Sequence, residues 1–314
     1  MRLPAMTNAR QEDRSIRRLA ALAALALVPL TACGTGGHAT TASSKVSAAA
    51  TPAAERSDQA FQALEKQHDA RLGVWALDTG TGRIVSWRAG ERFAYASTHK
   101  VLSSGSVLRQ DSMKRLNTVV KYTSKDLVAN SPITEKNVDK GMTVSALCDA
   151  ALRYSDNTAA NLLFRELGGP SALQAALRRT GDVTTHVDRT EPTLNTAIPG
   201  DVRDTTTPQQ MGLDLQKYTL GHLLPKPKRA MLVDWMRRNT TGNAVIRAGV
   251  PADWIVGDKT GSADYGTRND IAVAWPPHRA PIVITVFTTR STKDAKTDDA
   301  LVAAAAKVVA GRLS

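Results

Sequence analysis

Ser97-Thr98-His99-Lys100 places a hydroxyl and an amine three residues apart, just ahead of an apolar run that reads as a helix. Residues at that spacing share one helix face, so the Lys100 amine can reach the Ser97 hydroxyl. A serine is a poor nucleophile until something takes its proton, and a desolvated lysine of lowered pKa can do so. A helix start under Ser97 would also aim backbone N–H groups and a positive dipole end at any oxyanion formed there. On its own, such a pair arises often by chance.

Two further motifs follow in the chain. Ser155-Asp156-Asn157 separates one helical stretch from the next, and all three residue types also suit a plain helix cap. Lys259-Thr260-Gly261 is expected just past a strand, Trp254 to Gly257. There it offers a cation, a hydroxyl and room for a ligand to lie along the backbone, though a polar turn would look the same. Together, and in this order, the three motifs resemble those of the penicillin-recognising serine enzymes.

A fourth stretch selects within that superfamily. Arg189-Thr190-Glu191-Pro192-Thr193-Leu194-Asn195 and Arg203-Asp204-Thr205-Thr206-Thr207-Pro208 resemble the start and end of the Ω loop of class A β-lactamases. The resemblance covers Ser57 to Ser314, with Asp126 to Asn157 also close. It implies that Ser97 forms a covalent ester with the antibiotic, and that Glu191 and Asn195 hold the water that cleaves it. It implies that Ser155 relays a proton to the departing ring nitrogen and that Asn157 bonds the substrate's side-chain amide. Lys259 and Thr260 would bind the antibiotic carboxylate, with Gly261 beside them. A tight turn near Asp264–Gly266 would bring Arg268 across from Thr260 to assist. Backbone N–H groups of Ser97 and Ser262 would form the oxyanion hole, and Arg189 with Asp204 would tie the neck of the loop. Whether Lys100 or Glu191 takes the proton from Ser97 stays open.

Three positions depart from that family. Asn130 stands where an aromatic often stacks on substrate, and Ala263 where Gly is usual. Cys148 stands at one half of a disulfide found in some members, but Ser104 stands at the other.

Chemistry separates this reading from its rivals. Ring strain drives acylation, but the ester lasts until a positioned base activates water. A cell-wall D-Ala-D-Ala peptidase shares the first three motifs and lacks that base; Glu191 with Asn195 argues against it. A non-catalytic lipoprotein that binds peptidoglycan fragments or drugs would not need every chemical position filled.

The elements that must hold these groups follow from periodicity. A helix is expected over Ser57–Ala70, then a hairpin of Leu72–Leu77 and Arg83–Trp87 around Asp78-Thr79-Gly80-Thr81-Gly82. Helices are expected over Val144–Arg153, Thr158–Leu167 and Ser171–Arg179, each of the last two stopped by glycine. Strands return at Trp254–Gly257, Ile271–Trp275 and Ile282–Thr288, before a closing helix, Asp298–Leu313. Strands at both ends with helices between imply an α/β (α+β) fold of the β-lactamase/transpeptidase-like kind. Residues 57–95 and 239–314 would form an antiparallel sheet flanked by helices, and 96–238 an inserted all-helical domain that carries the Ω loop, 189–204.

The N-terminus reads as an export signal. Arg14, Arg17 and Arg18 precede an apolar stretch, Leu19 to Leu30, too short for a permanent span. It ends in Leu30-Thr31-Ala32-Cys33, which resembles a bacterial lipobox with Cys33 as the lipidated residue. A plain signal peptide is the alternative, and Arg17-Arg18 leaves a twin-arginine route as open as the general one. Residues 1–32 are thus read as signal peptide and 33–56, rich in Ala, Thr, Ser and Gly, as a tether. The protein is expected outside the cell, held at the membrane only by lipid or secreted, and monomeric.

Composition excludes other classes. The net charge is +12, and residues 1–57 hold seven Lys/Arg against three Asp/Glu, leaving +8 for the rest. The basic residues alternate with acids and few aromatics accompany them, so nucleic acid is not an expected partner. Six scattered histidines show no metal-ligand spacing, so neither metal nor cofactor is expected.

Overall fold

A computed structural model describes residues 52–314. The proposed signal peptide, Cys33 and the tether as far as residue 51 lie outside the described residues. Five strands form one antiparallel sheet: β1 (Arg71–Asp78), β2 (Ile84–Trp87), β3 (Ile255–Ala263), β4 (Thr267–Trp275) and β5 (Ile282–Thr289). Their order is β2-β1-β5-β4-β3, so the last strand to be made lies in the middle. Val74 pairs with Trp87 across the predicted hairpin, and Leu72 pairs with Thr288 from the far end of the chain.

Alternation along these strands divides the sheet between two cores. Leu72, Val74, Ala76, Ile284 and Val286 pack with the terminal helices α1 (Pro52–His68) and α8 (Asp299–Leu313), through Phe61, Leu301, Val302 and Val309. Trp75, Val273, Val283 and Phe287 point the other way, into a core shared with the intervening helices. With apolar groups needed on both faces, β1 and β5 read as nearly continuous hydrophobic runs.

Those helices are α2 (His99–Gln110), α3 (Val144–Arg153), α4 (Asn157–Leu167), α5 (Pro170–Arg178), α6 (Pro208–Thr219) and α7 (Lys226–Arg237). Side chains at their N-caps satisfy the first free N–H groups. Thr143 accepts from Ala146, Asp156 from Ala159 and Thr207 from Gln210. Gly168, at φ 98°, closes α4 in the left-handed conformation that glycine adopts without strain. Residues 99–108 of α2 are all buried, which places this helix at the centre of the helical part.

Three boundaries differ by several residues from those expected; β4 starts at Thr267, four residues ahead of Ile271, because Thr267–Asp270 pair with the polar half of β3. α1 begins at Pro52, inside the stretch read as tether; proline suits a first helical turn, and Ala-Ala-Glu behind it favour helix. β3 continues to Ala263 instead of stopping at Gly257, so Lys259-Thr260-Gly261 lies within the strand, not after it. Polar residues at 258–262 break the hydrophobic run, yet each pairs with β4, as in Lys259 with Ile271.

Candidate active site

The site forms where α2, the head of α4, strand β3 and the Ω loop converge. Ser97 sits in a single 3-10 turn, Ala96–Thr98, that runs directly into α2. Ala96 takes φ 48°, an uncommon conformation for a residue with a side chain, and one that costs energy. Gly261 accounts for the close approach opposite. A Cβ there would lie 3.0 Å from the Tyr95 carbonyl oxygen and 3.2 Å from the Ser97 nitrogen. The glycine lets β3 press its backbone against Ser97.

Lys100, one helical step on, is fully buried and surrounded by acceptors. Its Nζ lies 2.8 Å from Ser97 Oγ, 2.6 Å from Asn157 Oδ1, 2.9 Å from the Ser155 carbonyl and 3.0 Å from Glu191 Oε1. Burial pulls its pKa below the ordinary lysine value, against the pull of Glu191. Ser155, at φ 56°, turns the chain between α3 and α4. Its hydroxyl accepts from Lys100 at 3.3 Å and from Lys259 at 3.0 Å. Burial and the repulsion of Lys100 hold Lys259 well below its usual value. One hydroxyl thus stands between two desolvated amines. Asp156, buried, fixes this corner by accepting from the Ile133 and Thr134 N–H groups at 3.0 and 2.9 Å.

Glu191 enters from the Ω loop, its side chain wholly covered. Oε1 is 3.4 Å from Ser97 Oγ, and Oε2 accepts from Asn195 Nδ2 at 2.5 Å. Burial opposes its ionisation, but the Lys100 ammonium and the His99 ring overcome this and hold its carboxyl below the usual range. The loop is tied at its neck as expected. Arg189 Nε meets buried Asp204 Oδ2 at 2.5 Å, while Asp204 Oδ1 accepts from the N–H groups of Asp188 and Arg189 and from Tyr95 Oη. The peptide bond between Glu191 and Pro192 is cis.

Three observations qualify the expected binding wall. Thr260 Oγ1 meets Thr241 Oγ1 at 2.6 Å, in a chain that continues through Asn239 to Asp258. Arg268 pairs across the ladder with Ser262, not Thr260, because the turn at 264–266 leaves Ala263 opposite Thr267. Its guanidinium donates to Ser262 Oγ at 3.1 Å and forms an ion pair with Asp299, so Asp299 shares its charge. Asn130 is exposed and donates to the Ser155 carbonyl at 3.2 Å, which gives it a place in the same corner.

Sequence reasoning passed over three residues of this site. Asn161 clamps Glu191 through its backbone, with Nδ2 to the carbonyl at 2.8 Å and the Glu191 N–H to Oδ1 at 2.9 Å. His99 touches Glu191 Oε1 at 3.4 Å, and Thr241 touches Thr260. Asn161 follows Asn157 by four residues, and a second amide on that helix face was a readable signal. A cavity of about 950 Å³ lies elsewhere, between the end of α1 and the back of the Ω loop, lined by Arg71, Phe93, Ile198 and Val202. It holds none of the groups described above.

A buried serine against a lysine, a hydroxyl between two amines and a loop-borne carboxylate define a serine hydrolase of the class A β-lactamase type. The model of the β-lactamase enzyme family matches residues 56–312. The chain is 56% identical over 260 residues to a β-lactamase of Amycolatopsis lactamdurans, covering 83% of this chain and 86% of that one. It superposes on the class A β-lactamase of Clostridium kluyveri DSM 555 with TM-score 0.80 at 50% identity, over 81% and 97% of the two chains. With the β-lactamase of Desulfarculus baarsii DSM 2075 the TM-score is 0.82, also at 50% identity, over 83% and 98%. The chain belongs to the β-lactamase enzyme family, in its class A serine branch.

Proposed function

We propose that Ser97 attacks the β-lactam carbonyl, and that Glu191 activates the water that later cleaves the ester. Lys100 touches Ser97, and Glu191 touches Lys100. The Ser97 proton passes to Lys100 as Lys100 hands one to Glu191, so that both candidate bases take part. The tetrahedral oxygen is held by the N–H groups of Ser97 and Ser262, each donor contributing on the order of 10²–10³ in rate. As the ring C–N bond breaks, Ser155 gives its proton to the nitrogen, the Lys100 ammonium replaces it, and Glu191 returns its proton to Lys100, so that it is a carboxylate again before water arrives. Lys259 and Thr260 take the antibiotic carboxylate with help from Arg268, and Asn157 bonds the side-chain amide. Then Glu191, with Asn195 beside it, takes a proton from water; the hydroxide adds to the ester carbonyl, and Ser97 leaves with a proton returned.

The observation that carries this reading is the fully covered Glu191 carboxylate within 3.4 Å of Ser97 and 3.0 Å of Lys100. Glu191→Gln keeps the shape and removes the base, a loss on the order of 10²–10⁴ in the hydrolytic step. That variant, mixed with benzylpenicillin, should accumulate an adduct on Ser97 with the mass of the whole antibiotic. Turnover at near wild-type speed, or no acylation at all, refutes the role. The paired division of the chain, with residues 57–95 and 239–314 against 96–238, serves this chemistry by lining one cleft from two sides. The enzyme works as a monomer tethered outside the cell through lipid on Cys33. A mature chain that starts at any other residue excludes that anchor.

A further inference from the structure

His99 is fully buried, one residue before Lys100, and the chemistry above makes no use of it. Its ring stacks on Phe164 of α4, with centroids 5.1 Å apart and planes 14° apart, and tilts against Tyr95 at 5.7 Å. Nε2 lies 3.4 Å from Glu191 Oε1, the carboxylate oxygen that also faces Ser97 and Lys100. Nδ1 is buried with no hydrogen-bond partner among the described residues.

These contacts decide where the ring proton sits. A proton on Nδ1 would bury an N–H without an acceptor and turn the Nε2 lone pair toward a carboxylate, two unfavourable terms. A proton on Nε2 gives Glu191 a donor and leaves only a lone pair idle among aromatic rings. A second proton is opposed by burial and by Lys100 and Lys259, although Glu191 favours it, and the pKa of the ring falls below its ordinary value. We infer that His99 is a positioning residue of the hydrolytic step: its Nε2–H donates to Oε1 of Glu191 and holds that carboxylate in place. This rests on Glu191 being the base that activates water.

A donor on a carboxylate favours the ionised form, so its loss raises the pKa of that carboxylate. The other charged groups facing the pair are Lys100 on α2, Lys259 on β3, Asp156 at the head of α4, and Asp204 behind Tyr95. Exchanging the imidazole for a phenyl ring replaces none of these groups. A contact of 3.4 Å is at the long end of hydrogen-bond range, so the effect is modest.

The test is the pH profile of single-turnover deacylation, measured on the whole protein as wild type, His99→Phe and His99→Gln. Phe keeps the stack on Phe164 and loses the donor; the Gln amide can reach Oε1. With His99→Phe the acid limb should move up by about 0.5–1 pH unit, a three- to tenfold loss below the midpoint. His99→Gln should return it toward wild type. An unmoved acid limb in His99→Phe, or a Gln variant that behaves like Phe, overturns the inference. Nitrogen NMR of the wild-type imidazole needs no variant: Nε2–H across pH 5–9 is expected, and an Nδ1–H tautomer or an imidazolium overturns it. The adduct experiment on Glu191→Gln is separate. If that variant turns over freely, it is the role of Glu191 that fails.

Discussion

Ser97 and Glu191, the proposed nucleophile and hydrolytic base, are held in different ways. Ser97 and Lys100 belong to a turn and helix whose residues 96–108 are all buried, pressed from behind by β3. Glu191 is carried by a loop with one short 3-10 turn, Thr193–Thr196, and a rim of exposed residues from Ile198 to Gly200. Besides one buried apolar side chain, Leu194, that loop is kept in place by a handful of polar pins: Arg189 to Asp204, Asn161 to the Glu191 backbone, and Asn195 to its carboxylate. Packing secures the Ser97 side, proposed to acylate; mostly hydrogen bonds secure the Glu191 side, proposed to hydrolyse. Single side chains should therefore separate the two steps of the reaction.

The largest effect is expected at the neck. Asp204→Asn leaves Arg189 without its charge partner and weakens four contacts at once, a change that can cost several kcal/mol when burial is deep. Penicillin turnover should fall at least tenfold, while the melting temperature drops by only a few degrees, because the loop can open locally. A global unfolding loss with normal turnover at lower temperature would erase the contrast. Next comes Asn161→Ala, which removes two hydrogen bonds of about 1 kcal/mol each. Stopped-flow kinetics should show deacylation about tenfold slower, with acylation within about threefold. Equal losses in both steps would mean that the clamp serves the whole cleft.

The helical part has its own weak point, one that touches stability and not chemistry. Burial and the nearby Asp182 raise the pKa of Asp214, on α6, to about 7, against its bonds to Gln210 and Lys217. The folded state therefore keeps a proton that the unfolded state gives up above its ordinary value near 4. Stability falls as pH rises from about 4 to 7 and levels off beyond. Asp214→Asn should flatten that slope, gaining about 5 °C on wild type between pH 5 and pH 8 in a melting series. Parallel curves would refute the assignment. The smallest effect is on reactivity. Burial pushes the Cys148 thiol up to about 12, so it should resist thiol reagents in the folded protein. In a Cys33→Ala background, a cysteine at exposed Thr193 should label within minutes while Cys148 stays unreacted. Labelling at similar rates would show that the helical part opens as readily as the loop.

Much of this was legible in the order of residues, and the reason is chemical. Ser97, Lys100, Ser155, Glu191, Lys259 and Thr260 come together because the groups needed for acyl transfer are few and their spacings are set by helix and strand geometry. Helices α3, α4, α5 and α8 ended within one residue of their expected bounds because caps and glycines mark them. Strand β3 was cut short for the opposite reason. Its polar half buries Asp258, Lys259 and Thr260, and hydrophobic periodicity does not register a strand made of Asp, Lys, Thr and Ser. The partner of Arg268 depended on a two-residue difference in register, which keeps every side chain on its own face and so has no signature in the alternation of residues. His99 read as a spacer between Ser97 and Lys100, because a motif says nothing about which of its residues also face a loop ninety residues away.

The middle position of β5 in the sheet bears on how the chain is born. Leu72 finds its partner Thr288 only after more than two hundred further residues have been added. At roughly 5–20 residues per second, β1 waits on the order of ten to forty seconds for its neighbour on a ribosome. Pairings so distant in sequence also close slowly, since loop entropy must be lost before any contact repays it. Until residue 289 emerges, β1 and β2 could make only a two-stranded ribbon open at both edges, which is at best marginally stable in water, so this length of chain stays pliable enough to be threaded elsewhere before it sets.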